Sequence, residues 1–151
     1  MPAYGPALER LELARFRLGE FEMAVEIRAS RMRLAGQRER AGQLDEDAVS
    51  VGPAEAIERD VRRELDGLLL RAQQDDPFKD HVRRNVADRI ISGHVALGQW
   101  REAMDWVERS CEQRPGRLRR MLADLPVDYR GLAADRRYAR LMRVAGLEEQ
   151  M

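Results

Sequence analysis

A nine-residue segment occurs twice in this chain, and the repetition limits the folds open to it more than any other feature. Residues 18–26 have the sequence LGEFEMAVE, and residues 97–105 have the sequence LGQWREAMD. In both copies a Leu-Gly pair is followed by an aromatic residue and, three positions further on, by alanine. A weaker copy, GPAEAIE, covers residues 52–58. Repeats of this kind are typical of stacked helical hairpins, which present a binding surface and seldom catalyse a reaction.

The composition favours helices over strands. The sequence has no threonine and few aromatic residues, whereas alanine, leucine, arginine and glutamate are abundant. Its 27 basic and 27 acidic residues cancel, which suits helices with solvated faces. No stretch approaches the roughly 20 apolar residues that span a bilayer, and charges interrupt the N-terminal leucines, unlike in a signal peptide. With a single cysteine, Cys111, we expect a cytoplasmic protein without a disulfide framework or a membrane partner.

The apolar spacing predicts an all-α fold. We expect a first helix at about residues 6–17, a second at 20–36, a third at 53–72, a fourth from Pro77 to Leu97 with Asp76 as its N-cap, and a fifth at 100–111. Residues 37–52 are polar and acidic, so they form either a long loop or a short helix around residues 44–49. Shorter helices are expected at about 117–123 and 135–144.

The Leu-Gly-x-aromatic-x-x-Ala pattern at a helix-to-helix corner resembles that of tetratricopeptide repeats, in which each unit of ~34 residues is an antiparallel helix pair. The resemblance gives three pairs of residues a structural role: Gly19 and Gly98 would turn the chain, Phe21 and Trp100 would wedge under the corners, and Ala24 and Ala103 would let helices approach closely. It implies a superhelix of about three antiparallel hairpins, with a degenerate central one, and short C-terminal capping helices.

This resemblance also implies a division of residues 1–151 as a single domain. Repeat one would cover residues 5–36, the degenerate repeat two 37–74, repeat three 76–115 and a helical cap 116–147. Within that cap, residues 132–147 resemble the terminal cap on helical-repeat regions of bacterial signalling proteins. The implied function is non-catalytic protein–protein interaction or scaffolding in a bacterial signalling or regulatory complex.

Tetratricopeptide arrays bind a peptide or partner helix in a concave groove lined by the first helix of each pair. Carried onto this chain, the resemblance places groove positions at Glu9, Leu13, Phe16 and Arg17 in repeat one and at Asp88, Ser92, Val95 and Ala96 in repeat three. The family's Lys/Asn clamp for a C-terminal carboxylate is not expected, because Glu9 and Asp88 stand where its lysine would be. The alternative is that these side chains pack on neighbouring helices or face water.

Nothing in the sequence points to an enzyme, a metal site or a cofactor. His81 and His94 are 13 residues apart, and neither has a Cys, Asp or Glu at a metal-ligand spacing. Cys111 comes near His94 if the fourth and fifth helices pair, but one Cys and one His make a poor metal site, so we expect Cys111 to fill core. The chain also lacks a Gly-rich phosphate loop and a nucleophile motif.

Charge is unevenly distributed along the chain. Residues 114–143 contain nine arginines and three aspartates, whereas residues 45–66 contain eight acidic residues and three arginines. Both segments can be solvated helix faces, or they can attract each other within one chain or between two copies. The alternative function is therefore a nucleic-acid-associated or homo-oligomerising structural protein that acts through the basic cap. Seven arginines of this cap would meet phosphates: Arg117, Arg119, Arg120, Arg136, Arg137, Arg140 and Arg143. Only Tyr129 and Tyr138 lie nearby for aromatic stacking.

Overall fold

The computed structural model describes residues 4–79, 85–113 and 130–144, and all regular secondary structure in these ranges is α-helical. This confirms the predicted all-α class. The described helices are α1 (Tyr4–Arg17), α2 (Phe21–Leu34), α3 (Arg38–Val51), α4 (Pro53–Gln74), α5 (Val86–Ala96), α6 (Trp100–Gln113), α7 (Arg130–Ala133) and α8 (Arg136–Val144). Within the described ranges, none of these helices is long and apolar enough to cross a membrane.

The chain divides into two compact units, residues 1–61 (unit 1) and 62–151 (unit 2), with the boundary inside α4. In unit 1, α2 packs against both α1 and α3. In unit 2, α5 packs against α6, and α6 also contacts α7 and α8. The core of unit 1 consists of small and medium apolar side chains, among them Ala24, Ala29, Met32, Leu44 and Ile57. The predicted repeat boundaries within residues 1–151 stay a prediction.

Three helices end in the same glycine turn. Gly19, Gly36 and Gly98 follow α1, α2 and α5 with φ values of 77°, 79° and 71°, a left-handed conformation that only glycine adopts without strain. In each turn the glycine N–H donates to the carbonyl three residues before it, at 3.0–3.1 Å. The next N–H donates to the carbonyl five residues before its own position, at 2.8–2.9 Å. This pattern of two hydrogen bonds is the Schellman motif, and it reverses the chain after each helix.

The polar stretch after Gly36 is a full helix rather than a loop. α3 runs from Arg38 to Val51, although only Ala41, Leu44 and Asp47 of it are buried. Gly52 alone separates it from α4, which begins at Pro53, as predicted. Proline suits a first helical position because the amide it lacks would have no partner inside the helix.

The helix predicted to begin at Pro77 begins instead at Val86. The Asp76 carboxylate accepts the Phe78 N–H at 2.9 Å and closes only a local turn, and Lys79 lies outside any helix. Asn85 is the N-cap of α5. His81 and the predicted helix at 117–123 lie outside the described residues. The predicted helix at 135–144 is observed as α8, one residue shorter at its start.

Candidate functional site

The groove positions predicted in repeat one mostly turn towards α2. Glu9, Leu13 and Phe16 are half-buried, and Arg17 is exposed. The Glu9 carboxylate accepts a hydrogen bond from Arg31 Nη1 at 3.2 Å. The Phe16 ring meets the Phe21 ring edge-on, with centroids 5.0 Å apart. Glu9 and Phe16 therefore pack α1 against α2, and the exposed surface of α1 lies on its other side.

The other side of α1 exposes a regular apolar stripe, which we call the outer face of α1. It consists of Ala7, Leu11, Ala14 and Leu18, at successive spacings of four, three and four residues, so they share one side of the helix. Leu11 is 42% exposed and Leu18 is 71% exposed. Because Leu13 and Phe16 form a second apolar side, α1 is apolar in two directions. A helix of that kind normally has packing partners on both sides.

A shallow hollow adjoins the outer face at the corner between α1 and α2. It is lined by residues 19–23 and by Pro53, and the exposed Leu18 directly precedes it in sequence. Its apolar lining includes Phe21, Met23 and Pro53. Together the outer face and this corner hollow form an exposed apolar surface in the described part of unit 1.

Charged residues border the outer face of α1 on both sides. Arg10 and Arg17 are exposed along one edge. On the other edge, Arg15 Nη1 donates to Glu20 Oε2 at 2.7 Å, so its charge is already compensated. Among the described residues, Arg10 and Arg17 have no acidic partner, and the exposed Glu22 lines the corner hollow, so these three charges beside the apolar surface sum to a net positive value.

A set of six charged side chains with a buried centre, which we call the ion network, links α1 to the other helices of unit 1. Hydrogen bonds connect its members in the order Glu9, Arg31, Glu12, Arg28, Asp60 and Arg40, so that acidic and basic side chains alternate. They come from α1, α2, α3 and α4, and their formal charges sum to zero. The network therefore ties together all four helices that contribute to unit 1.

Asp60 is the centre of this network. Its side chain is 1% exposed, and its oxygens accept hydrogen bonds from Arg28 Nε at 2.7 Å and from Arg40 Nε and Nη2 at 2.8 and 2.7 Å. Burial by itself would raise the pKa of this carboxyl, but the hydrogen bonds and positive charges of Arg40 and Arg28 outweigh burial and lower the pKa. Arg28, 6% exposed, also donates to Glu12 Oε2 at 2.9 Å.

The ion network is not among the features predicted from the sequence, although the sequence contains a signal for it. Arg28 lies within the apolar series of α2 between Val25 and Met32, and Asp60 lies between Ile57 and Val61. A charge at a core-facing position requires a partner of opposite charge, because an unpaired buried charge is strongly destabilising. Two such charges of opposite sign in one small unit are therefore candidates for one buried pair.

The groove positions predicted in repeat three lie in unit 2 and are largely internal. Val95 and Asp88 are buried, Ser92 is half-buried and Ala96 is exposed. Asp88 is the third helical residue of α5 and forms a capping box: its N–H donates to Asn85 Oδ1 at 2.8 Å, and the Asn85 N–H donates to Asp88 Oδ2 at 3.2 Å. The Asp88 carboxylate thus stabilises the start of α5.

The residues that carry the repeat pattern differ in their surroundings. Ala24 and Ala103 are both fully buried, which suits close packing of helices. The Trp100 ring is partly exposed and lies over Gly131 of α7, where an added Cβ atom would stand 2.3 Å from the ring. Gly131 therefore provides the space that the Trp100 ring occupies.

The histidine and cysteine that we considered for metal binding have other surroundings. His94 is buried, and its Nδ1 lies 2.8 Å from Gln99 Oε1. Cys111 is half-buried beside the core of unit 2, and burial, together with the charges of Glu108 and Glu112, raises the pKa of its thiol to about 11. In the described ranges no group of three or more His, Cys, Asp or Glu side chains is placed to hold a metal ion.

The second exposed surface is a row of arginines on α8, which we call the arginine face. Arg136, Arg140 and Arg143 are exposed at spacings of four and three residues, and with Arg137 they line one hollow of unit 2. Arg137 is bound by Asp105 and by Asp135, whose Oδ2 lies 3.0 Å from Arg137 Nη2.

The acidic segment 45–66 already has partners for many of its carboxylates. Within unit 1, Arg33 pairs with Asp45, Arg59 pairs with Asp47 and Glu55, and Arg28 and Arg40 pair with Asp60. Within unit 2, Glu64 Oε1 lies 3.2 Å from Arg89 Nη2. These pairs leave fewer carboxylates for the predicted attraction to the basic cap than the sequence count suggests.

A scan of protein-family models and searches of curated proteins and of solved structures find no match to this chain.

Proposed function

We propose that this protein is a non-catalytic protein-binding module built from helical hairpins like those of tetratricopeptide repeats. The observation that carries the proposal is the regular spacing of the helix ends in unit 1. Gly19, Gly36 and Gly52 follow α1, α2 and α3 and lie 17 and 16 residues apart, and the first two of them close Schellman turns. Two such steps make one hairpin of close to the ~34 residues of a tetratricopeptide unit.

The binding site in this proposal is the outer face of α1 together with the corner hollow. It accepts one side of an amphipathic helix from another protein, in the way that a helix lies in an apolar groove. Covering the exposed parts of Leu11 and Leu18 would contribute on the order of 3 kcal/mol, given about 1.5–3 kcal/mol for each fully buried leucine. The ion network supports this role because it fixes α1 from the opposite side.

The charged residues that border the outer face of α1 indicate which kind of partner helix binds there. The outer face is bordered by Arg10 and Arg17, which have no acidic partner among the described residues, so the fitting partner helix carries acidic residues along one edge of its apolar stripe. An antiparallel pair of α1 helices from two copies of this chain is disfavoured, because two-fold symmetry sets Arg10 and Arg17 against the same arginines of the second copy. We therefore propose a different protein as the partner.

Site-specific photo-crosslinking in the native host tests this proposal. A photoreactive amino acid replaces Leu18 in one variant and Leu70 in a control variant; Leu70 is 55% exposed on the part of α4 that belongs to unit 2. We expect a discrete protein adduct at position 18 and none at position 70, with the crosslinked peptide in an acidic amphipathic segment. No adduct at position 18, or the same adducts at both positions, would contradict the proposal.

A further inference from the structure

The arginine face of α8 is built as a charged surface rather than for helix stability. Its first-turn arginine, Arg136, stands at the end of the helix where the dipole favours acidic residues. Arg136 and Arg140 are four residues apart, and Arg140 and Arg143 are three apart, spacings at which like charges repel. Among the described residues, Arg140 lies 3.5 Å from Glu108, and Arg136 and Arg143 have no acidic partner.

We propose that the arginine face binds the phosphodiester backbone of a nucleic acid duplex, independently of the function proposed above. From Arg136 to Arg143 the helix rises about 10 Å at 1.5 Å per residue. Along the duplex axis one strand advances about 3.4 Å per phosphate, so a helix aligned with that axis spans the rise of about three phosphates. Guanidinium groups suit this ligand because they donate two parallel hydrogen bonds to one phosphate.

The rest of α8 distinguishes this ligand from two other anionic targets. Tyr138 and Met142 on the opposite side are buried in the core of unit 2, so α8 has no free apolar side to insert into a membrane surface. Tyr138 is only 3% exposed and cannot stack on bases, as a single-strand binding surface requires. These two observations favour contact with a paired backbone, without readout of base sequence.

The expected binding depends steeply on salt. Three arginine–phosphate contacts predict a slope of about −2.7 in a plot of log K against log salt for duplex DNA. Between about 50 mM and 200 mM salt the affinity should therefore fall roughly 40-fold. Loss of two contacts should reduce the slope to about −0.9.

Fluorescence anisotropy with the full chain and labelled DNA and RNA duplexes of one sequence tests the proposal. The test variant is Arg136→Gln/Arg143→Gln, and the matched control is Arg38→Gln/Arg71→Gln, which removes the same charge from exposed positions outside both proposed surfaces. We expect the shallower slope of log K against log salt only in the test variant. Comparison of the two duplexes shows whether the ligand is DNA or RNA. The proposal is overturned if neither duplex binds at about 25 mM salt, or if both variants lose the same affinity.

Discussion

Replacing Asp60 by asparagine removes one charge from the centre of the ion network with almost no change in side-chain shape. In the native unit, the Asp60 carboxylate accepts three hydrogen bonds from Arg28 and Arg40 at 2.7–2.8 Å. The amide of asparagine would turn an N–H group towards one of these donors. Arg28 would stay buried and would keep its hydrogen bond to Glu12.

The expected loss of stability follows from this geometry. Breaking a buried ion pair by removing one partner typically costs about 3–5 kcal/mol. We expect a value near the lower end, about 3 kcal/mol, because Arg28 keeps Glu12 and the partly exposed Arg40 can be solvated. This is a change of roughly 150-fold in the unfolding equilibrium constant, at 1.4 kcal/mol per factor of ten.

The measurement is urea unfolding followed by far-UV circular dichroism. Tryptophan fluorescence is not suitable on its own, because both tryptophans, Trp100 and Trp106, lie in unit 2. The control is Asp45→Asn, which removes a 48%-exposed carboxylate that pairs with the exposed Arg33. Such surface pairs contribute about 1 kcal/mol or less. If Asp60→Asn and Asp45→Asn destabilise the protein equally, the argument from burial is wrong.

The difference between the wild type and Asp60→Asn should depend on pH. The folded pKa of Asp60 lies below its ordinary value of 3.8, so its ionised form stabilises the fold at all pH values above the unfolded pKa. That contribution is lost as the pH falls through the folded pKa, where Asp60 becomes neutral like asparagine. We therefore expect the stability difference to be constant from pH 7 to about pH 5 and to shrink below about pH 4. A difference that grows towards low pH would refute this assignment.

Two further predictions concern unit 2. Gly131→Ala should lower the free energy of unfolding by about 1–3 kcal/mol in thermal melts, because its Cβ would overlap the Trp100 ring. The control Gly67→Ala has open space around the added Cβ and should raise the free energy of unfolding by about 0.5–1 kcal/mol. At pH 8 the thiolate fraction of Cys111 is about a hundredfold smaller than that of a thiol with a pKa of 9.0, since its own pKa is about 11. Its thiolate is also more nucleophilic, so alkylation by iodoacetamide should be roughly tenfold slower. Equal melting of the two glycine variants, or alkylation at the rate of a free thiol, would contradict these assignments.

Local signals made the helix boundaries largely predictable from the sequence. Gly19 and Gly98 end helices because glycine adopts the left-handed conformation of the Schellman turn, and Pro53 begins a helix because it needs no amide partner. The start of α5 was predicted wrongly because the sequence carries two start signals. Asp76 closes a turn with Phe78, and Asn85 begins the helix through its capping box.

Long-range partners explain what the sequence did not reveal. α3 buries only two apolar side chains, so apolar spacing gave almost no evidence for it, and much of its tertiary contact is ionic, as between Arg40 and Asp60. Those two residues are 20 positions apart, and the bond between Arg28 and Asp60 spans 32. Apolar periodicity identifies a helix face but does not tell which charged residues meet across it.

The outer face of α1 shows the same limit. The stripe from Ala7 to Leu18 is visible in the sequence, and so is the second apolar side with Leu13 and Phe16. The contacts of Glu9 and Phe16 with α2 decide which side faces inward. The residues predicted for the groove therefore lie mostly on the inner side.

The central claim is that the outer face of α1 binds a partner protein. The partner is the protein that crosslinks at position 18. The most direct measurement is the amount of this partner that co-purifies under native conditions with the variant Leu11→Glu/Leu18→Glu. The matched control is Leu34→Glu/Leu70→Glu, which places the same charges at exposed leucines elsewhere. We predict at least a roughly tenfold loss in the first variant, equivalent to about 1.4 kcal/mol, and none in the second. Equal co-purification with both variants would contradict the claim.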